Sequence, residues 1–210
     1  MIQQIQALYE ALGQEISCGE YDWQMQKRST TWVSTADVDQ GSLTSRTGSD
    51  FLSIGNKTFW NFTLRRPVFG PISDVDWQML QAFVPGGPLY QYRIAGDRIL
   101  LNPTPVAGET YGFIWKSRNW ILAVDGVTYK ETFTADTDVS LLPENVMKVG
   151  VQAWWARQKG LPYADLLASF DGMVETAKMK DGTKQILSMD RPSNRVIPGI
   201  WVPAGNWPIS

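Results

Sequence analysis

The chain has no histidine and one cysteine, Cys18. Without histidine there is no Ser-His or Cys-His nucleophile pair, and the commonest zinc ligand is missing; one cysteine cannot build an intrachain disulfide framework. An excess of charge of either sign is also missing. Nineteen Lys plus Arg face twenty-one Asp plus Glu, a net charge of −2, so nothing draws a phosphate backbone electrostatically and nucleic acid is not expected as a specific ligand. No apolar run approaches the roughly 20 residues that span a bilayer. The opening Met-Ile-Gln-Gln-Ile-Gln has neither the cationic start nor the apolar core of a signal peptide. A protein made in the cytoplasm and soluble there is the expectation, with no cofactor and no metal.

What the chain does have is length and aromatic content. Its 210 residues are 43% hydrophobic and include ten Trp, seven Tyr and eight Phe, enough to bury a substantial core without metal or disulfide support. Ile2, Ile5, Leu8, Tyr9, Leu12 and Ile16 recur at helical spacing, predicting an amphipathic helix over residues 2–17, with Tyr21 and Trp23 covering its end. Residues 30–35 and 59–64 read as strands, and residues 40–50 as a polar loop. Ser73 with Asp74 and Asp76 predicts a capped short helix with Trp77, Leu80 and Phe83 inward.

After Pro85-Gly86-Gly87-Pro88, residues 89–95, 98–102 and 111–116 read as strands of an antiparallel meander, the first two joined at Gly96-Asp97. A further hairpin is predicted around Val124-Asp125-Gly126. Helical spacing returns after Pro143 and again from Leu166 to Ala177, an αα-hairpin. The fold class is therefore α+β: an N-terminal helix (1–29) packed with a C-terminal helical hairpin (142–189), a central mostly antiparallel β region (30–141) and an extended C-terminal tail (190–210).

The residues offer little catalytic chemistry. The pairs Asp37/Asp39 and Asp136/Asp138 offer an acid and a base of the kind glycoside hydrolysis uses, but solvated loop acids are the plainer reading. Asp136-Thr-Asp138 lacks the Gly and distal Glu of a calcium loop. Ten Trp would suit the flat platforms of a carbohydrate-binding module; Trp60, Trp77, Trp154 and Trp155, however, lie in apolar patterns and read as core. The tail differs. It holds Pro192, Pro198, Pro203 and Pro208, which forbid a helix, together with Ile197, Ile200, Trp201 and Trp207, suited to be anchors in a partner's pockets, and Arg191 and Arg195 as polar contacts. The ends are oppositely charged, net −4 over residues 1–50 and net +3 from Lys178 onward.

A set of stretches then resembles a known family. Arg65-Arg66-Pro67, Ile72-Ser73-Asp74-Val75-Asp76-Trp77, the pattern Tyr92-x-Ile94-x-Gly96-Asp97-x-Ile99-x-Leu101-x-Pro103-x-Pro105, Ala107-Gly108-Glu109-Thr110-Tyr111, Leu142-Pro143-Glu144 and Trp154-Trp155 ahead of Lys159-Gly160-Leu161 resemble, in that order, the head-to-tail adaptors (connectors) of tailed bacteriophages, those of short-tailed phages most of all. The resemblance covers most of the chain up to about residue 180. It departs in residues 41–50 and in the tail. It implies a virion protein, not an enzyme: a ring of identical subunits, usually twelve, under the portal protein, bound to tail or nozzle proteins. DNA would pass through the ring without being read. The competing readings are the carbohydrate-binding module and an adaptor with cell-wall hydrolase activity.

Overall fold

The helices are α1 (Ile2–Cys18), α2 (Leu43–Thr47), α3 (Asp74–Ala82), α4 (Glu144–Gln158) and α5 (Ala164–Asp181), of which α1, α4 and α5 follow the apolar spacing of the sequence. The computed structural model describes residues 2–19, 21–82 and 89–182. Among the described residues the chain is a mixed α and β protein with a curled, mostly antiparallel sheet. None of the described helices is long and apolar enough to cross a membrane.

The strands β1 (Lys27–Val33), β2 (Asp39–Ser42), β3 (Phe51–Ile54), β4 (Trp60–Asn61), β5 (Arg66–Phe69), β6 (Tyr90–Ala95), β7 (Arg98–Asn102) and β8 (Thr110–Ser117) share one sheet, ordered β1-β8-β4-β5-β6-β7-β2 with β3 also on β8. The long β8 organises it. One of its edges takes the whole of β1, from Lys27 opposite Lys116 to Val33 opposite Thr110, while β3 and β4 divide the other edge. β9 (Ile121–Leu122), β10 (Tyr129–Lys130) and β11 (Val139–Ser140) form a second, small sheet.

The expected meander of consecutive strands is wrong. Two of the predicted local pairs form, β6 with β7, turning at Gly96 (φ +61°), and β9 with β10 across Val124-Asp125-Gly126; β7 then pairs with β2 and β8 returns to β1, while β5 and β6 run parallel. Pro103 and Pro105 lie directly after β7, and a residue without an N–H cannot carry the ladder on to the next strand.

The expected polar loop at 40–50 is wrong too, since it holds β2 and α2. Its helix is nucleated from afar: Asp97 in the β6–β7 turn accepts from the Thr44 amide (2.9 Å), the Thr44 hydroxyl (2.6 Å) and the Ser42 hydroxyl. Ser42 in turn accepts from Ser45 N (3.2 Å), and Leu43 and Thr47 are buried. The strand expected over 59–64 shrinks to β4, because Asn61 Oδ1 accepts from Leu64 N (2.9 Å) and Arg65 adopts φ 55°, closing a turn. Ser73 does cap α3, accepting from Asp76 N (3.1 Å), with Trp77 buried; Phe83 lies outside the described residues.

Two cores result. Trp32, Phe59, Tyr92, Tyr111, Phe113 and Trp115 fill the concave side of the large sheet. Alternation along β8 sends Tyr111, Phe113 and Trp115 into this core, and Lys116 to the other side. The second core gathers Leu12, Trp23, Trp120, Met147 and Phe170 between α1, α4, α5 and the small sheet. Lys116 joins the halves: its buried ammonium donates to the carbonyls of Gly19 (2.9 Å) and Tyr21 (2.7 Å) just past α1, where a cation complements the helix's negative end. Burial holds the Lys116 pKa below its usual value, opposed by Asp22.

Candidate interaction surface

The tail residues picked as docking contacts, Arg191, Arg195, Ile197, Ile200, Trp201 and Trp207, all lie outside the described residues. The structure does describe the surface from which that tail departs. Here α5 is the least covered long helix, for Phe170 alone is buried on it and Met173 and Met179 are exposed. Its two flanks differ in chemistry. On one, a groove of about 610 Å³ lies between α5, the start of α4 and the segment after α1, walled by Trp23, Met25, Pro143, Val146, Met173 and Ala177. Lys180 and Asp181 stand at its end, and Asp181 Oδ2 accepts from Gln24 N (2.9 Å).

The opposite flank holds a smaller groove of about 410 Å³ with Glu15, Asp171 and Glu175 set against Lys178. Lys178 Nζ reaches Glu175 at 2.8 Å, and the Lys178 carbonyl accepts from the Tyr21 hydroxyl (2.8 Å). Trp23 Nε1 donates to the Ile16 carbonyl (3.0 Å), so Tyr21 and Trp23 cover the end of α1 as their position predicts.

The loop acids divide. Asp37 and Asp136 stand exposed, as expected. Asp39 and Asp138 do not fit the solvated-acid reading. Asp39 is ion-paired with Arg98 and accepts from Gly41 N (2.9 Å), with Arg98 first in lowering its pKa. The Asp138 carboxylate, 1% exposed, accepts from the Thr134 and Ala135 amides (2.9 and 3.0 Å), and both its oxygens lie 3.0 Å from Lys130 Nζ. These bonds, that from the Thr134 amide foremost, bring its pKa down to about 2.

A depressed carboxylate stabilises the fold above its unfolded pKa of 3.8, and that contribution is lost as pH falls through the folded value. Following the Asp138 side-chain carboxyl by ¹³C NMR is expected to give a midpoint near 2, and Asp138→Asn should flatten the stability profile between pH 4 and 2, roughly the window those values set. A midpoint at an ordinary aspartate value would contradict this bonding.

The tryptophans also divide. Trp77 is buried as expected and Trp60, Trp154 and Trp155 are half-buried, with Lys159 Nζ 4.7 Å from the Trp155 ring centre. Trp32, Trp115 and Trp120 are buried in the cores and offer no face to a sugar ring, and Trp23, also buried, lines the groove beside α5. Alternation in β1 and β8 was the available signal for Trp32 and Trp115.

The stretches that carry the family resemblance sit mainly in the β core. Tyr92, Ile99 and Leu101 are buried, and Asp97 caps α2. Glu109 is buried, accepting from Asn61 Nδ2 (2.9 Å) and the Tyr111 hydroxyl (2.8 Å). Burial and then Glu109 raise the Tyr111 pKa strongly. No family model and no curated protein matches the chain. Among the described residues no group of three or more His, Cys, Asp or Glu is placed to hold a metal ion.

The β side adds exposed apolar side chains: Phe62 and Leu64 in the β4–β5 turn, Phe69 at the end of β5, and Val75 and Met79 on α3. Single exposed apolar residues are ordinary. What the arrangement offers is surface for association, on the under-covered α5 and on exposed apolar side chains of the β region.

Proposed function

We propose that the chain is a head-to-tail adaptor subunit of a tailed bacteriophage. It would form a closed ring of about twelve copies under the portal protein, lengthen the DNA channel, help retain packaged DNA and seat the tail or nozzle proteins. The observation that carries this reading is the order of the resembling stretches, from Arg65-Arg66-Pro67 to Trp154-Trp155. Supporting it, the resembling stretches are built into the β core: Tyr92 to Asn102 form the β6–β7 pair turning at Gly96, and the buried Glu109 accepts from Asn61 on β4 and Tyr111 on β8.

In this reading α1 with the α4–α5 hairpin is the ring-forming module, the β region faces tail proteins, and the extended tail, through Trp201 and Trp207 with Arg191 and Arg195, reaches the portal or a neighbouring subunit. The chemistry is association, not turnover. A net charge of −2 suits a conduit, because a strongly basic lumen would hold the DNA it must release. Quantitative mass spectrometry of purified virions should find the chain at about one copy per portal subunit, as stacked rings of like symmetry require. One copy per particle, or none, would sink the proposal.

A further inference from the structure

The chain leaves α5 at Gly182, one residue past Asp181, which ends the apolar groove. Beyond it lie residues 183–210, among them the uncharged run Val196-Ile197-Pro198-Gly199-Ile200-Trp201-Val202. We propose that residues 196–202 occupy the groove between α5, α4 and the Trp23 segment of their own subunit. The bound tail is then an autoinhibitory strap: while it lies there, its anchors are withheld from any partner. The inference rests on the groove and the tail alone, so it stands or falls separately from the phage reading.

Four observations support this occupant. The groove's 610 Å³ is of the size that enclosed ligands fill, about 300–1,000 Å³. Its wall along α5 runs from Ser169 to Asp181, about 18 Å at the helical rise, and seven extended residues cover roughly 20 Å. The walls are apolar and aromatic, while the charges of Lys180 and Asp181 at the end oppose one another. An uncharged segment stiffened by Pro198 therefore fits here better than the carboxylate-rich groove on the other flank.

Finally, the tether decides between copies. Residues 183–195 reach about 40 Å when extended, ample to fold back. A tether of that length presents the segment at an effective concentration of about millimolar, far above a second copy at micromolar protein.

Disulfide trapping in the full-length chain tests this. In a Cys18→Ser background, Gly199→Cys leaves the apolar anchors in place. It is paired with either Thr176→Cys, which lines the groove, or Glu175→Cys, on the opposite flank. Both α5 positions are exposed, and a tail that ignored the groove would reach them at equal rates. The Thr176 pair is expected to close an intramolecular disulfide about tenfold faster or more, the gain local concentration gives, at a rate independent of protein concentration.

Adding Gly172→Arg should bring the two rates together, since a Cβ there has no atom within 4 Å, so the substitution is tolerated at its root, while Gly172 lines the groove and the long side chain takes up its space. Equal rates at the two positions overturn the proposal. So does a Thr176 rate unmoved by Gly172→Arg, or a product that is a concentration-dependent dimer, which would put the tail in a second copy's groove.

Discussion

Gly13→Ala is expected to lower the melting temperature by about 6–12 °C, taking overpacking at about 3 kcal/mol and 2–4 °C per kcal/mol for a chain of this size. In an exposed helix the same change would stabilise by about 1 kcal/mol, because glycine is the poorest ordinary helix former. The sign reverses here because the helix gives up propensity in exchange for contact. A Cβ built on Gly13 would lie 2.1 Å from Trp120 Cη2 and 2.3 Å from Cζ2. Trp120 has nowhere to withdraw, being 0% exposed and packed edge-on against Phe133 at 5.5 Å and near Tyr9 at 6.3 Å.

Gly150 of α4 plays the matching part, its Cβ position lying 2.4 Å from Leu12 Cδ2 and 2.8 Å from Phe170 Cε2. Two helical glycines thus set how closely α1, α4, α5 and Trp120 approach. Calorimetry of Gly13→Ala alone and with Trp120→Phe would check the argument. The second change shortens the ring and should recover part of the loss, a coupling expected only of residues in contact. A higher melting temperature for Gly13→Ala would show that the close packing is not there.

These glycines mark the boundary of what the sequence makes legible. Elements whose signals are local were readable: α1, α4 and α5 from apolar spacing, the Ser73 cap of α3 from its own acids, the β6–β7 turn from Gly96-Asp97. Elements specified by distant residues were not. The α2 helix depends on Asp97 in another hairpin, and nothing within residues 40–50 announces that partner. The order of strands around β8 is a property of the assembled sheet. Asp138 reads as a loop acid until Lys130 and the Thr134 amide are seen on it. Gly13, flanked by helix formers, gives no sign of the indole that needs its missing side chain. For the candidate surface, the sequence pointed to the tail as the partner-seeking segment, and the apolar groove beside its root was visible only in three dimensions.

Deleting residues 191–210 is expected to abolish attachment to portal-bearing, DNA-filled heads, with binding weakened at least about a hundredfold per subunit, since the deletion removes both Trp201 and Trp207, each anchor costs about 2–4 kcal/mol when lost from an interface centre, and a ring multiplies the loss through avidity. Both hydrophobic cores, with the residues packed against them, lie within residues 9–177, so the truncated chain should keep its cooperative melting transition and the loss can be read as binding. Co-sedimentation of labelled protein with purified heads measures it directly. The truncation and the groove variant separate two roles of one segment. Deletion removes both the strap and the anchor, whereas Gly172→Arg removes only the place where the strap lies, leaving Trp201 and Trp207 available. If the tail must leave its own groove before it can grip a partner, Gly172→Arg should bind heads at least as tightly as the natural chain while the deletion binds hardly at all. Unchanged head binding by the deletion would mean that attachment lies elsewhere, with the exposed turns around Phe62 and Phe69 the surfaces to examine next.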